Sequence, residues 1–478
     1  MLWESRKQLK NLLFIFFAFL FLFQNALTAQ TEQENHDKYW HYRQRFNQYF
    51  IYVGDKPGES LVVSIRNRDF KPQLCYGQHG VHFGYYLGVL ATEYMLLVRD
   101  NQHQKAENTL EELRYALLAY EEQMDKCEHY WNKDKCLDGF FIRENVPLDY
   151  LDTNTESGRT HFEALNKHLT AENIWVSDSM RNLVNGKPAW VNGLYEIHAK
   201  KEPMSQDEAY GVMMGIALVV KCVPSLADRA KNIFELISLH LIAKNECQNC
   251  GGEGYLIKKP DCNSISESTG GVTAFFGYGI AHAAAKITGK DIEYFYNTFD
   301  SKKLSSSLSD YTKTGKFKFT IGGNNMYLLW DICKNGIPGS QEWNRSMVST
   351  LAAVGDSWGK KTDKGLINNC YWKKGEKPHD WRSFYLSLWR FLHDKSPNLE
   401  EKKLIKSELD AAPYEGPYNY KTKDNPTNYA SGGWAYTYRY RATIKEQFDG
   451  SGFSNGVFNG LDYMLMYNLY QLLYGAKH

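Results

Sequence analysis

The sequence predicts an all-α protein whose helices form two layers. Two kinds of helical segment alternate along its 478 residues, and strand signals are few. One kind is amphipathic, as at 226–241, where apolar residues recur at helical spacing opposite charged ones. The other kind is apolar nearly all round, which is typical of a helix buried on every side. This alternation predicts an inner ring of helices inside an outer ring, or alternatively a long right-handed helical solenoid.

Five segments have the apolar pattern of inner helices, and one of them is especially informative. Residues 209–220 contain no charged side chain, and Ser205 with Glu208 matches a capping box at the predicted helix start. Gly211 and Gly215 lie four residues apart, so we expect a neighbouring helix to approach closely there. The five segments are His82–Val98, Ala209–Val220, Gly270–Ala285, Tyr385–Leu392 and Leu461–Leu473.

The remaining pattern predicts outer helices, short hairpins and one domain. In the amphipathic segment Thr109–Glu122, we expect Glu111, Glu112 and Arg114 on the face opposite the leucines. No linker rich in Gly, Ser or Pro follows the N-terminal segment, so residues 30–478 are predicted to form a single domain. Short β-hairpin strands are predicted at Ser60–Ile65, Gly254–Lys258 and Lys316–Ile321.

The N-terminal residues 1–29 have the pattern of a secretory signal peptide. Three basic residues precede the apolar run 12–23, which is short for a membrane span, and Ala26 and Ala29 are possible cleavage positions. An uncleaved anchor is the alternative. Cleavage would export the protein to the periplasm or the extracellular space, with no stable membrane insertion afterwards.

Composition indicates a globular protein and excludes an obvious nucleic-acid partner. The chain is 43% hydrophobic and 23% charged, with a net charge of +1. Loss of residues 1–29 removes three basic and one acidic residue, which leaves −1. Neither value favours nucleic acid or an anionic membrane surface. The 33 Tyr and 12 Trp residues suit stacking against sugars, because their rings combine an apolar face with a polar group.

The cysteines suggest at most one metal site. Nine are present, so at least one is unpaired within the chain, while Cys127 and Cys136 flank a short segment that a disulfide could close. Cys247, Cys250 and Cys262 have the only spacing that resembles a zinc site, and a structural disulfide or free thiols is the simpler interpretation. No other cofactor is expected.

Polar residues cluster where the predicted inner helices begin. His79 and His82 share a glycine-rich loop before the first inner helix, and histidine suits proton transfer near neutral pH. Arg143 follows an Asp-Gly turn signal and could bind a carboxylate through its planar guanidinium. Asp207 lies at the start of 209–220, where helix capping explains an acid equally well.

Later segments add further candidates. His379, Arg382 and Tyr385 place a base, a cation and a phenol within seven residues, although a solvated cap containing Asp380 explains the segment equally well. Near the C-terminus, alternating Tyr and Arg residues fit recognition of an anionic sugar, although an amphipathic strand or an exposed loop also fits. The candidates for sugar contact in these later segments are Asn324, Trp434 and Arg439. No nucleophile elbow, phosphate loop, dinucleotide fingerprint or His-Glu-x-x-His motif is present, which weakens several other enzyme classes.

With its alternating helices and segments such as 205–208 and 459–463, the chain resembles the six-hairpin (α/α)6-toroid carbohydrate-active enzymes. That group includes unsaturated glucuronyl hydrolases, several glycosidase families and polysaccharide lyases. The resemblance covers most of residues 70–475 and is architectural, since no family's full catalytic motif aligns. The chain is also similar to secreted enzymes of flavobacterial polysaccharide-degradation systems that act on ulvan-like glycans.

The resemblance implies an enzyme acting on acidic oligosaccharides, and three interpretations stay open. Elimination at a uronic acid needs a cation for the carboxylate, a base and an acid, and the His, Tyr and Arg candidates favour it. Hydrolysis needs two carboxyl groups across the scissile bond. A non-catalytic glycan-binding protein would use the aromatic residues alone. The acids available for hydrolysis are Asp138, Asp207, Asp380 and Asp462.

Overall fold

In the described residues of the computed structural model, the fold is overwhelmingly helical, as the sequence predicts. The residues described are 32–47, 50–51, 62, 65–67, 74–75, 79–131, 139–141, 174–175, 204, 206–242, 271–295, 387–388, 390–397, 399–412 and 456–475. The helices are α1 at 32–47, α2 at His79–Arg99, α3 at His103–Trp131, α4 at Gln206–Cys222, α5 at Ala227–Leu241, α6 at Gly271–Thr288, α7 at Ile292–Phe295, α8 at Leu399–Ala411 and α9 at Leu461–Tyr474. Residues 387–388 and 390–392 are also helical.

The buried helices α2 and α4 lie side by side and run in the same direction. Gly80, near the start of α2, lies beside Glu208 at the start of α4. Two turns later, Gly88 lies beside Leu218. Later residues of α2 therefore contact later residues of α4, which makes the two helices parallel. Both helices have the nearly all-round burial that the sequence predicts for inner helices.

Glycines allow the backbones of α2 and α4 to touch, which confirms the expectation from Gly211 and Gly215. A Cβ on Gly211 would lie 2.7 Å from the Cα of Val81, and a Cβ on Gly84 would overlap the carbonyl of Gly211. Gly215 likewise faces Gly84 and Leu87. Any larger residue at these positions would force the two helices apart.

Helix α9 also packs on α2, and the two helices are parallel. Along the pair, His82 meets Asn459, Thr92 meets Asn468, and Arg99 reaches the carbonyl of Gln471. The last two contacts measure 3.1 Å and 2.8 Å between donor and acceptor. Three inner helices, in the order α4–α2–α9, therefore begin at one end of the bundle, which we call the helix-start end.

The outer helix α3 packs on α2 in the opposite direction. The Tyr86 hydroxyl donates to Glu112 at 2.5 Å, and the Thr109 hydroxyl donates to Glu93 at 2.8 Å, so the pairing is antiparallel. The prediction that Glu112 faces away from the core is wrong: only 8% of this residue is exposed. Glu112 is buried because a cation from α1 meets it there.

Helix α1 is a second outer helix. It is the first helix of the described chain, and it packs on α9, the last one. Tyr42 packs on Tyr463 with ring centres 4.8 Å apart, and Tyr39 stacks on Tyr467 at 4.9 Å. The Tyr470 hydroxyl donates to Glu32 at 2.8 Å, so α1 is antiparallel to α9. The helix also contacts α2, where Phe46 lies 5.2 Å from Tyr86 between ring centres, so it packs on two of the inner helices, α2 and α9.

A buried ion network fastens α1 to α2 and α3. Arg43 donates to Glu93 at 3.0 Å, to Glu112 at 2.5 Å and to Asn47 at 2.5 Å. The Tyr39 hydroxyl also donates to Glu93. One guanidinium thus serves two buried carboxylates, and both receive further donors from neighbouring hydroxyls. Burial and the adjacent carboxylate raise the pKa of Tyr39 well above its usual value, which keeps this hydroxyl a donor.

The other described helices pack around this group. Helix α5 follows α4 after the 3-10 turn Pro224–Leu226 and packs on it, with its apolar stripe buried as predicted. Helix α6 packs on α5, and α8 packs on α9. Lys38 of α1 donates to the carbonyls of Leu409 and Ala412, both at 2.8 Å, so it holds the C-terminal end of α8.

Four very short strands form a sheet next to the helix-start end. They are β1 at Ile65–Asn67, β2 at Leu74–Cys75, β3 at Ile174–Trp175 and β4 at Gly456–Phe458, in the order β3-β2-β1-β4. Strand β1 pairs antiparallel with β2 and β4, whereas β2 and β3 are parallel. Strands β2 and β4 directly precede α2 and α9.

The hairpin prediction at Ser60–Ile65 is confirmed in part. Val62 bridges Ile51, and Ile65 begins β1. The strand predictions at Gly254–Lys258 and Lys316–Ile321 lie outside the described residues.

Among the described residues, one helix is long and apolar enough to cross a membrane. It spans Gly80–Arg99, and 83% of its most apolar window is buried among the other helices. Core helices of globular proteins pass the same test of length and hydropathy, and this helix has the position of a core helix.

Candidate functional site

Three inner helices present their N-termini at the helix-start end. Helix N-termini carry unpaired backbone N–H groups and a partial positive charge, which favours anions. Buried polar side chains from α2, α4 and the segment before α9 lie at the same end. This is the region where the sequence places the polar loops, and the structure brings three of their helices together.

His82 lies in the first turn of α2. It is 4% exposed, and its Nδ1 lies 2.9 Å from the Nδ2 of Asn459. Asn459 directly follows β4, and its side-chain oxygen accepts the backbone N–H of Leu461 at 3.1 Å. The histidine is therefore held by a residue 377 positions away in the chain.

A glycine and an arginine set the position of Asn459. Gly460 has φ +81°, a left-handed conformation that favours glycine, and it turns the chain from β4 into α9. A Cβ there would lie 2.7 Å from the ring of Tyr42. Arg45 of α1 donates to the carbonyl of Asn459 at 3.2 Å, and its guanidinium lies 4.9 Å from the Tyr42 ring centre. Helix α1 thus forms one wall of this region.

Two carboxylates lie at the same end. Glu208, in the first turn of α4, is fully buried. It packs against Gly80, and a Cβ added to Gly80 would lie 2.7 Å from the Cβ of Glu208. Asp462, in the first turn of α9, is 4% exposed and accepts the backbone N–H of Tyr463 at 2.9 Å. The predicted capping role of Ser205 lies outside the described residues.

The predicted turn before Arg143 has a structural counterpart at Gly139. This glycine has φ +88° and packs against the backbone of α5, where a Cβ would lie 2.7 Å from the nitrogen of Ile237. The carbonyl of Phe141 then accepts the N–H of Met204 at 3.0 Å, so this segment runs beside the approach to α4.

The structure describes only part of the predicted site. His79 is the first residue of α2 and Asp207 the second of α4, and their side chains lie outside the described part. The other predicted site residues, all outside the described ranges, are Arg143, Asn324, His379, Arg382, Tyr385, Trp434 and Arg439. So are Cys247, Cys250 and Cys262, and the described side chains contain no cluster of three metal-binding residues.

Two residues of this end, Asn459 and Arg45, were not among the predicted site residues, although the segment 459–463 was noted in the sequence. Asn459 had a usable signal, since an Asn-Gly pair before an apolar run marks a turn into a buried helix. Arg45 had none, because its partner is a backbone carbonyl far along the chain.

A separate groove of about 620 Å³ lies on the outer surface, along α3. Its lining includes Glu107, Glu111, Arg114 and Arg229, where acids and bases are mixed. Arg229 is already engaged in a two-point hydrogen-bonded pair with Glu121. None of the predicted site residues lines this groove.

No protein-family model matches this chain, and no curated protein or solved structure is significantly similar to it.

Proposed function

We propose that this chain is an exported (α/α)6-toroid enzyme that acts on uronate-containing, ulvan-like oligosaccharides by elimination, as a lyase or an oligosaccharide dehydratase. Parallel inner helices with antiparallel outer helices α1 and α3 support the toroid, because that arrangement builds an inner and an outer ring. The contact of α1 with α9 supports a closed ring over a solenoid, since it brings chain segments more than 400 residues apart together.

The observation that carries the proposal is that three parallel helices begin at one end of the bundle, where His82 is buried against Asn459. Elimination begins with loss of the proton beside the uronate carboxylate, so negative charge grows on that carboxylate. Helix N-termini and hydrogen-bond donors stabilise such charge where water is excluded. His82 lies in the first turn of one of these helices.

The remaining roles follow from the residue types. His379, Tyr385 and Asp207 join His82 as the catalytic groups. The sugar is bound by His79, Arg143, Arg382, Arg439, Asn324 and Trp434. Residues 1–29 are a signal peptide in this proposal, residues 30–478 form one catalytic domain, and the mature enzyme resides in the periplasm or outside the cell.

Mass spectrometry of uronate-containing oligosaccharides incubated with the purified protein tests the reaction class. Fragments whose summed mass equals that of the substrate indicate a lyase, and loss of one water without shortening indicates a dehydratase. His82→Gln, His379→Gln and Tyr385→Phe, tested one at a time, should lower turnover. Unchanged masses across a broad glycan panel, with glycan affinity retained in these variants, would replace the proposal with a glycan-binding protein.

A glycoside hydrolase is the second candidate, and one observation favours it. Glu208 and Asp462 place two buried carboxyl groups at the helix-start end, and hydrolysis requires a carboxyl pair. Fragments that together gain one water, with turnover lost in Glu208→Gln and Asp462→Asn, would establish this candidate and refute elimination.

A further inference from the structure

The side-chain amide of Asn459 has one orientation, which its own helix determines. An asparagine amide offers an oxygen that only accepts and a nitrogen that only donates. The Asn459 oxygen accepts the N–H of Leu461 at 3.1 Å at the start of α9. A flipped amide would set an NH₂ group against this N–H. The nitrogen therefore faces His82.

This orientation determines which nitrogen of His82 carries hydrogen. The Asn459 Nδ2 lies 2.9 Å from the His82 Nδ1 and can only donate, so Nδ1 must accept. A neutral imidazole that accepts at Nδ1 carries its hydrogen on Nε2. Protonation at Nδ1 would set two donors against each other at this distance.

We propose that Asn459 is a positioning residue that holds His82 as the neutral Nε2–H tautomer, so that His82 donates a hydrogen bond to the uronate carboxylate and is not the base. The donor role rests on the proposed function, whereas the tautomer does not. Neutral histidine as a donor would stabilise the charge that develops on the carboxylate without first having to lose a proton.

The other steps of the elimination then fall to other groups. The base, from among His379, Tyr385 and Asp207, takes the proton at C5 of the uronate. The electron pair of that C–H bond forms the C4–C5 double bond, and the C4–O bond breaks. The departing oxygen takes its proton from a general acid or from water. His82 gains and loses no proton in this sequence.

The fold holds this pair from both sides. Asn459 is 3% exposed, its carbonyl accepts from Arg45, and Gly460 fixes the turn that follows it. Asn459 is thus positioned by neighbours that do not depend on bound substrate, and it in turn contacts His82. Such preorganisation is what a donor to a developing anion needs.

The tautomer is measured directly by ¹⁵N NMR of the full-length protein labelled at histidine, without substrate. His82→Gln identifies the His82 signals among the 14 histidines. We expect an Nδ1 without hydrogen and a protonated Nε2. A hydrogen on Nδ1 of the wild-type ring would overturn the assignment, whatever the enzyme does.

Asn459→Asp tests the positioning role with nearly unchanged shape. An aspartate oxygen can still accept the Leu461 N–H, but the other oxygen can only accept and would draw a hydrogen onto His82 Nδ1. We expect the Nδ1 hydrogen to appear and kcat to fall about 10²–10³-fold, the cost of losing one such donor. Asn232→Asp, which adds the same charge at an exposed position of α5, should leave both unchanged.

The outcomes separate the two proposals. The expected tautomer without turnover of any uronate-containing oligosaccharide would overturn the proposed function and leave the assignment of His82 standing. Turnover that survives the tautomer change in Asn459→Asp would overturn the donor role alone. If Asn459→Asp does not fold, the wild-type spectrum still decides the tautomer. The kinetic test then uses Asn459→Ser, which keeps a capping oxygen and removes the NH₂ donor.

Discussion

Replacing Gly84 with alanine should destabilise the protein through the contact between α2 and α4. The added Cβ would overlap the carbonyl of Gly211 and lie 2.7 Å from the nitrogen of Val212. Backbone atoms cannot rotate away, so one helix must shift within a close-packed core.

The magnitude follows from two opposing terms. Alanine stabilises a helix interior by about 1 kcal/mol relative to glycine. Overpacking of a core typically costs about 1–3 kcal/mol, and a clash between two backbones belongs at the upper end. The free energy of unfolding should therefore fall by roughly 2 kcal/mol in Gly84→Ala.

Gly88→Ala is the matched control on the same helix. Its Cβ would lie 2.9 Å from Leu218 Cδ1 and 3.2 Å from Leu465 Cδ2, the ends of flexible side chains. Small rotamer changes relieve these contacts, so the helix-propensity gain should offset most of the cost and leave a net change within about 0.5 kcal/mol.

Thermal and urea unfolding, followed by circular dichroism under identical conditions, measure both variants against the wild type. The expected order of midpoints is Gly84→Ala well below Gly88→Ala, with Gly88→Ala near the wild type. A Gly84→Ala protein as stable as Gly88→Ala would refute direct backbone contact between α2 and α4.

Two further predictions concern buried charge. Arg43→Met leaves Glu93 and Glu112 buried without their shared cation and should cost about 3–5 kcal/mol at neutral pH. The triple variant with Glu93→Gln and Glu112→Gln should recover most of that loss in urea unfolding, and a stable single variant would contradict the network. Burial lowers the pKa of His282 to about 4, from 6.5, so the folded state favours the neutral ring. The stabilisation that comes from keeping His282 neutral is complete above pH 6.5 and is lost as the pH falls toward 4. The unfolding midpoint of His282→Gln should therefore fall less steeply with pH over this range than that of the wild type. Equal pH dependence of the two midpoints would count against the burial of His282.

Much of the helical framework was predictable because burial leaves a local pattern. The uncharged stretch within α4 and the apolar run of α2 predicted inner helices, and both are buried nearly all round. Gly211 and Gly215 predicted the close approach, since four-residue spacing places both on one face of a helix.

Helix α1 was not predicted, and the reason is physical. Lys38, Arg43 and Arg45 lie in it, yet all three are nearly buried. Their partners are carbonyls and carboxylates on α2, α3, α8 and the segment before α9. A buried charged side chain needs hydrogen-bond partners. When those partners lie on another helix, the sequence around the charged residue does not distinguish it from a solvent-exposed one.

In the candidate site too, some features follow from the local sequence and others depend on contacts between distant segments. Local residue types placed His79 and His82 next to the start of a buried helix, because the histidines and the apolar run that follows them are visible in the chain itself. That Asn459 meets His82 was decided only by the tertiary structure, since parallel packing of α2 and α9 brings positions 377 residues apart to 2.9 Å. Helical periodicity acts within a few turns of one segment, whereas a buried hydrogen bond depends on which helices become neighbours.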